Sequence, residues 1–202
     1  MANEKEKIIK KLGSPATVTY LDGSTKDIKC LISKASHFNN SLEAVESHRK
    51  GDFMVGDNVT SGCYITNKVT GEQFITIAMY PSSYKDKFLS TVYRMLVVNS
   101  TLSVKRFEET ADENGNITKE ENDIISDLPS FIEVITQDLR QFKPGLQDDS
   151  EYLIFIPSQE LNTLDNIYIN VEGRELKLKL VSEDYITFKG ISILEVKTET
   201  RR

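Results

Sequence analysis

The stretch YITNKVTGEQFITI, residues 64–77, is matched later in the chain by YINVEGRELKLKL, residues 168–180. In each, an aromatic–isoleucine pair runs into a short polar turn that holds a glycine, and alternating apolar residues follow. Alternation with period two marks a strand with one buried face, and a glycine turn between two such runs marks a hairpin. Tyr64, Ile65, Gly71, Phe74 and Ile77 correspond to Tyr168, Ile169, Gly173, Leu176 and Lys179 or Leu180, with a shorter turn in the second copy. Downstream, TLSVKRFEET (101–110) lies over GISILEVKTET (190–200), which sets Leu102, Val104 and Phe107 against Ile191, Ile193 and Val196. Extra residues in the first copy fall mostly in SYKDKFLSTVYRM. Equal strands with unequal loops are what a duplication leaves; recurrence of turn residues in any β protein is the alternative.

The totals agree with two small units. The chain has 202 residues, 39% of them hydrophobic and 28% charged. Two domains with thin cores suit that balance better than one thick core, because small units bury less of their surface. With no Trp, Phe, Tyr, Ile, Leu and Val must fill the cores. The net charge of −6 argues against a protein that coats DNA, which needs excess Lys and Arg to displace phosphate counterions. Cys30 and Cys63 cannot make a disulfide framework and read as reduced, half-buried thiols. The opening MANEKEKIIKKL lacks the apolar core of a signal peptide. No apolar run approaches the roughly 18–20 residues that span a bilayer. The expectation is a soluble chain made in the cytoplasm, with no membrane contact.

Along the chain, residues 3–12 predict a short helix with Ile8, Ile9 and Leu12 on one edge, stopped by Gly13, Ser14 and Pro15. It packs on the first domain or docks onto a partner subunit. Asp22-Gly23 predicts a tight hairpin, with Val18 and Tyr20 facing Ile28, Cys30 and Ile32 across it. Residues 33–52 are polar, carry His37 and His48, and predict a loop with one helical turn at 42–45. Residues 62–67 and 72–80 predict the first quoted hairpin, ended by Pro81. Residues 84–93 predict a short helix, on the spacing of Phe88, Leu89 and Val92, or an excursion. Strand character resumes at 96–107. In the second half, Phe131, Ile135, Leu139 and Phe142 suit a helix closed by Pro144-Gly145. Strands are expected at 152–156, 167–171, 175–181 and 185–196.

Composition changes at EETADENGNITKEENDIISD, residues 108–127, which hold eight carboxylates and one lysine. Such a stretch is either a disordered acidic linker or a long protruding hairpin with Asn114-Gly115 at its tip. Ile117, Ile124 and Ile125 on the returning limb favour the hairpin. The expected organisation is a mainly β chain of two small barrel- or sandwich-like domains in tandem. Residues 1–107 form the first, with its N-terminal helix; 108–127 the acidic hairpin or linker; 128–202 the second. Three or more strands with an apolar face make each unit self-supporting, and closing the sheet removes exposed edges.

No constellation announces catalysis. The chain has no glycine-rich phosphate loop, HExxH, CxxC or GxSxG, so no catalytic residue, cofactor or metal is expected. His37 and His48 read as exposed loop histidines rather than zinc ligands. Cys30 and Cys63 alternate with strand residues and read as packing. Asp148, Asp149 and Glu151 lack the regular oxygen spacing of a calcium loop and read as a solvated turn. Glu183 and Asp184 read as a hairpin turn. Lys177 and Lys179 form the solvent face of a strand, or a face for an acidic partner.

The run DNIYINVEGRELKLKLVSEDYITFKGISILEV, residues 165–196, gives strand, glycine turn, strand and closing strand. That pattern resembles the head–tail connector proteins of tailed bacteriophages, in particular the head-closure or stopper class. The resemblance implies a small barrel that assembles as a homo-oligomeric ring beneath the portal, with long loops reaching the channel. It implies a neck protein of the virion that contacts the portal or an adaptor above, tail proteins below, and packaged DNA in passing. This chain is longer than a single-barrel stopper, and its apparent duplication departs from that pattern. Under the resemblance, Glu108, Glu109, Asp112, Glu113, Asn114, Gly115, Glu120, Glu121 and Asp123 become candidate channel or subunit contacts, since carboxylates around a channel repel phosphate. A tail-completion or baseplate β module is the neighbouring alternative. An enzyme or nucleic-acid-processing factor is the alternative from another class, and it requires a convergent polar site.

Overall fold

A computed structural model describes residues 4–34, 47–84, 87–111 and 117–199. Among the described residues, twelve strands and two short α-helices occur in the order α1 (Glu4–Leu12), β1 (Ser14–Thr19), β2 (Thr25–Lys34), β3 (His48–Phe53), β4 (Tyr64–Asn67), β5 (Gln73–Tyr84), β6 (Lys87–Val97), β7 (Ser100–Ala111), β8 (Ile117–Val134), α2 (Gln137–Phe142), β9 (Tyr152–Pro157), β10 (Asn166–Val171), β11 (Arg174–Asp184) and β12 (Ile191–Thr198). They close into two six-stranded antiparallel barrels, ordered β1-β2-β3-β6-β5-β4 and β10-β11-β12-β9-β8-β7. The tandem of two small β barrels expected from the sequence is the fold.

Each barrel has its own core, filled by the inward half of every strand's alternation. In the first, Val18, Ile28, Cys30, Ile65, Phe74 and Met95 pack together, with Tyr93 edge-on to Phe53 at 5.8 Å. In the second, Leu102, Val104, Ile154, Ile167, Leu178 and Val196 do the same. Burying one such side chain contributes about 1.5–3 kcal/mol. Helix α1 buries Ile9 against β2 and β6 and leaves Ile8 and Leu12 exposed.

The two quoted hairpins are β4–β5 and β10–β11. They hold the same place in their rings: the second ring, counted from β7, repeats the neighbours of the first. Ile65 lies opposite Phe74, and Ile169 opposite Leu176. Gly71 and Gly173 both take the left-handed conformation their turns demand, at φ 74° and 80°. A second detail recurs in the two barrels. In the β3–β4 connection, Asp57 donates its N–H to the Met54 carbonyl (3.0 Å), and its carboxylate accepts the Met54 N–H (3.2 Å). In the β9–β10 connection, Asp165 does the same with Asn162, at 2.9 and 2.8 Å. Both aspartates are buried. Each meets a cation, Lys26 in the first barrel and Arg106 in the second.

The downstream alignment is corrected. Strand β7 opens the second ring, as β1 opens the first, and pairs with β8 and β10; β12 closes that ring and has β6 as its counterpart. The domain division moves with it. The chain separates into 1–98 with 185–191, and 99–184 with 192–202, rather than at 107 and 128. Residues 108–127 belong to β7 and β8 of the second unit, apart from 112–116, which lie outside the described residues.

Other expectations change locally. Residues 87–93 belong to strand β6, paired with β5 and β3, not to a helix. Pro81 does not end β5: it lies opposite Thr91, beyond the reach of β4, where a strand edge needs no N–H donor. Phe131 belongs to β8; helix α2 starts only at Gln137, where the Thr136 hydroxyl caps the Leu139 N–H at 3.2 Å. Glu183 and Asp184 are β11 residues facing Leu194 and Ile193. The expected helical turn at 42–45 lies outside the described residues.

Candidate interaction arm

Strands β7 and β8 outrun their barrel. Pairing of β7 with β10 stops at Lys105, and pairing of β8 with β9 begins only at Phe131. From Arg106 to Ala111 and from Ile117 to Asn122 the two strands pair with each other, Arg106 opposite Asn122 and Ala111 opposite Ile117. The acidic segment is therefore a hairpin arm of the second barrel. Asp112, Glu113, Asn114 and Gly115 lie outside the described residues, between those paired limbs.

Two irregularities mark where the arm leaves. The partners of Leu102, Val104 and Lys105 are Leu128, Ile125 and Asp123, so β8 carries extra residues there. Asp127 takes a left-handed φ of 50° and donates its N–H to the Ser103 hydroxyl. Bulges of this kind bend a strand and terminate or re-aim its pairing.

Polar contacts fix the root. The Arg106 guanidinium binds the Asp165 carboxylate through two parallel hydrogen bonds. Burial alone would raise the Asp165 pKa, but the bonds from Arg106 and the Asn162 N–H outweigh it and hold the group below the usual range. Tyr168, on the outer face of β10, donates to Glu121 at 3.2 Å. The Lys105 and Lys177 ammonium groups stand 5.4 and 5.8 Å from its ring centroid. Lys105 also lies 3.7 Å from Asp123. Lys177 and Lys179, expected to face solvent or an acidic partner, both pair with Glu199 of the same chain.

Beyond the root the arm has two faces. Alternation puts Arg106, Glu108, Glu120 and Asn122 on one, and Phe107, Glu109, Ile117 and Glu121 on the other. Glu108 lies directly opposite Glu120, a like-charge pair that disfavours the ribbon by a few tenths of a kcal/mol to about 1. Asn122 relieves part of this by donating to Glu108 at 3.0 Å. Phe107 and Ile117 are 51% and 63% exposed. A two-stranded ribbon with an exposed apolar face gains little from its own fold.

Of the candidate contacts, Glu108, Glu109, Glu120 and Glu121 thus come together on one arm, and Asp123 lies at its root opposite Lys105. Sequence reasoning missed Phe107 and Ile117 as surface residues, and the anchors Arg106, Asp165 and Tyr168. The signal for the first two was an apolar residue in each limb of an otherwise polar hairpin. The anchors carried no sequence signal, because Arg106 and Asp165 meet only when β7 pairs with β10.

The remaining candidates sit elsewhere. His48 is not an exposed loop residue: it starts β3, is 5% exposed, and accepts from Arg94 at 3.2 Å. His37 lies outside the described residues. Cys30 and Cys63 are fully buried, and burial pushes the Cys30 thiol up to about 12. Asp149 and Glu151 do not form a free turn but bind Lys197 and Thr198 of β12. Among the described residues no group of three His, Cys, Asp or Glu could hold a metal ion, and no helix is long and apolar enough to cross a membrane.

Charge divides between the units. The first has fourteen Lys and Arg against ten Asp and Glu, a net of +4; the second has eleven against twenty-one, a net of −10. No protein-family model and no curated protein matches the sequence.

Proposed function

We propose that this chain is a structural protein of the tailed-phage neck. Copies assemble as an adaptor ring between portal and tail and help to line or close the DNA channel. Its work is binding rather than catalysis. The observation that carries this reading is the β7–β8 arm: a ribbon anchored at its root by Arg106–Asp165, exposing Phe107 and Ile117 and crowded with carboxylates. Such an arm costs stability in an isolated subunit, so it calls for a partner. Repeated around a ring, its glutamates would present DNA with a surface that repels phosphate and lets the duplex pass.

The test mixes the purified full chain with portal rings encoded by the same genome and images the product by electron microscopy. The proposal predicts an added annular layer on the portal axis. A bare portal beside dispersed chain contradicts it.

A further inference from the structure

The end of the second barrel at which β10 turns into β11 carries a cavity of about 460 Å³. That is within the range of small-molecule sites, which favour the mouths of β-barrels. Its aliphatic wall is Ile132 and Val134 of β8, Val171 of β10 and Leu176 of β11, and Tyr152 of β9 adds an aromatic side. Ile132, Tyr152, Val171 and Leu176 also pack against the core, so the cavity stands directly on the barrel interior. Asn99 lines it too but is spent on the backbone: its side chain donates to the Ile132 carbonyl at 2.9 Å and accepts the Ile132 N–H at 2.8 Å.

Two opposite charges stand on its rim. Arg174 begins β11 two residues before Leu176 and so shares its face of the strand. Glu172 lines the cavity from the turn between β10 and β11. Both are exposed. Among the described residues, neither side chain has a hydrogen bond or an ion pair, and the Tyr152 hydroxyl has none either. The turn gives no reason for a glutamate. Glu172 and Gly173 take left-handed φ values of 50° and 80°, a turn that favours Asn, Asp or Gly at its first central position. The Gly173 N–H is bonded by the Asn170 side chain at 2.9 Å, so Glu172 is not needed to hold the turn together.

We infer that this barrel mouth binds a small zwitterion with an apolar body, in the form of a short apolar peptide with both termini free. Arg174 takes the carboxylate, for which a guanidinium is the fitting donor. Glu172 takes the ammonium group, and the aliphatic wall takes the side chains. A ligand with one charge would leave the opposite rim charge unused, and the second rim charge would repel a doubly charged one. An internal protein segment has neither terminal charge, and one end of a protein has only one of the two. At about 30 Å³ per water the cavity has the volume of roughly fifteen waters, which suits a dipeptide of two aliphatic residues. The inference is independent of the ring reading and uses none of the arm.

The experiment titrates the full chain with leucyl-leucine and follows backbone amide resonances. Shifts should gather at Val134, Tyr152, Val171 and Leu176, with a Kd on the order of 0.1–1 mM. Glycyl-glycine, which has the charges without the apolar body, should not bind. N-acetyl-leucyl-leucine and leucyl-leucine amide each lose one charge and should bind roughly tenfold more weakly. Two rim variants assign the charges. Arg174→Gln should weaken leucyl-leucine roughly tenfold and leave the amide unaffected; Glu172→Gln should weaken leucyl-leucine equally and leave the N-acetyl form unaffected. An unchanged amide spectrum away from the rim confirms that each variant is folded, and the ligand series on the parent chain decides the matter if one is not. The inference is overturned if leucyl-leucine at about ten times that Kd moves none of these resonances, or if either singly charged analogue binds as tightly as the zwitterion. It is also overturned if both folded variants bind leucyl-leucine as the parent does.

Discussion

Arg106 donates both Nε–H and Nη2–H to Asp165, at 2.7 and 2.9 Å, and thereby ties the first residue of the arm to the loop that opens β10. Asp165 has 1% of its side chain exposed and Arg106 34%. The guanidinium is fixed on one side and wet on the other, so the pair is worth less than a fully buried one. Removing Arg106 nevertheless leaves a buried carboxylate short of two donors. Arg106→Met is expected to destabilise the second barrel by about 1–3 kcal/mol, and Arg106→Lys by less. Denaturant melts of the two variants check this order.

The same pair sets a pH dependence. The folded Asp165 pKa is depressed below its ordinary value of 3.8. A depressed carboxylate contributes stability that is fully present above the unfolded value and is lost as pH falls through the folded one. Stability attributable to Asp165 is therefore constant above about pH 5 and declines below 3.8. In Asp165→Asn that acid-limb decline should be shallower. Urea midpoints measured between neutral pH and acid test it; equal acid slopes in parent and variant would contradict the assignment.

Where the sequence was legible, the structure used local chemistry. Gly71 and Gly173 announce their hairpins because those turns need a positive φ, and alternation in β4, β5, β10 and β11 fixes which side chains enter the barrels. Residues 87–93 were misread because Leu89 and Val92 are spaced as on a helix, while their strand state is decided by distant partners, β5 and β3. The domain boundary was misread for a related reason. Only Val98 and Asn99 separate β6 from β7, with no glycine, proline or charge to mark the join. The one abrupt change of composition belongs to the arm, inside the second unit. His48 looked exposed because its neighbours are polar; the partner that buries it, Arg94, comes from β6.

The two cysteines should be chemically silent in the folded chain. Cys30 and Cys63 are both fully buried, and burial pushes the Cys30 thiol up to about 12, so its thiolate fraction is negligible at neutral pH. A disulfide exchange reagent should label neither at a rate above that of unfolding, and both in denaturant. Rapid labelling under native conditions would contradict the packing. Cys30→Ala should cost about 1 kcal/mol or somewhat more, through lost volume.

Amide exchange should divide the second unit. In isolated subunits, residues 106–111 and 117–122 should exchange much faster than 153–156 of β9, since each arm strand has one neighbour while Ile154 and Ile156 lie in the core. In assembled particles the arm should become protected. Equal protection of the arm in free and assembled subunits would mean that assembly does not use it.

The most direct measurement of the central claim, that the arm serves assembly rather than folding, is deletion of residues 111–120. The barrel pairings of β7 with β10 through Lys105 and of β8 with β9 from Phe131 survive this deletion. The account predicts a chain that melts cooperatively, within about 1 kcal/mol of the parent in stability, but stays monomeric by sedimentation velocity where the parent associates. A deleted chain that fails to fold, or one that folds and assembles as the parent does, would contradict it.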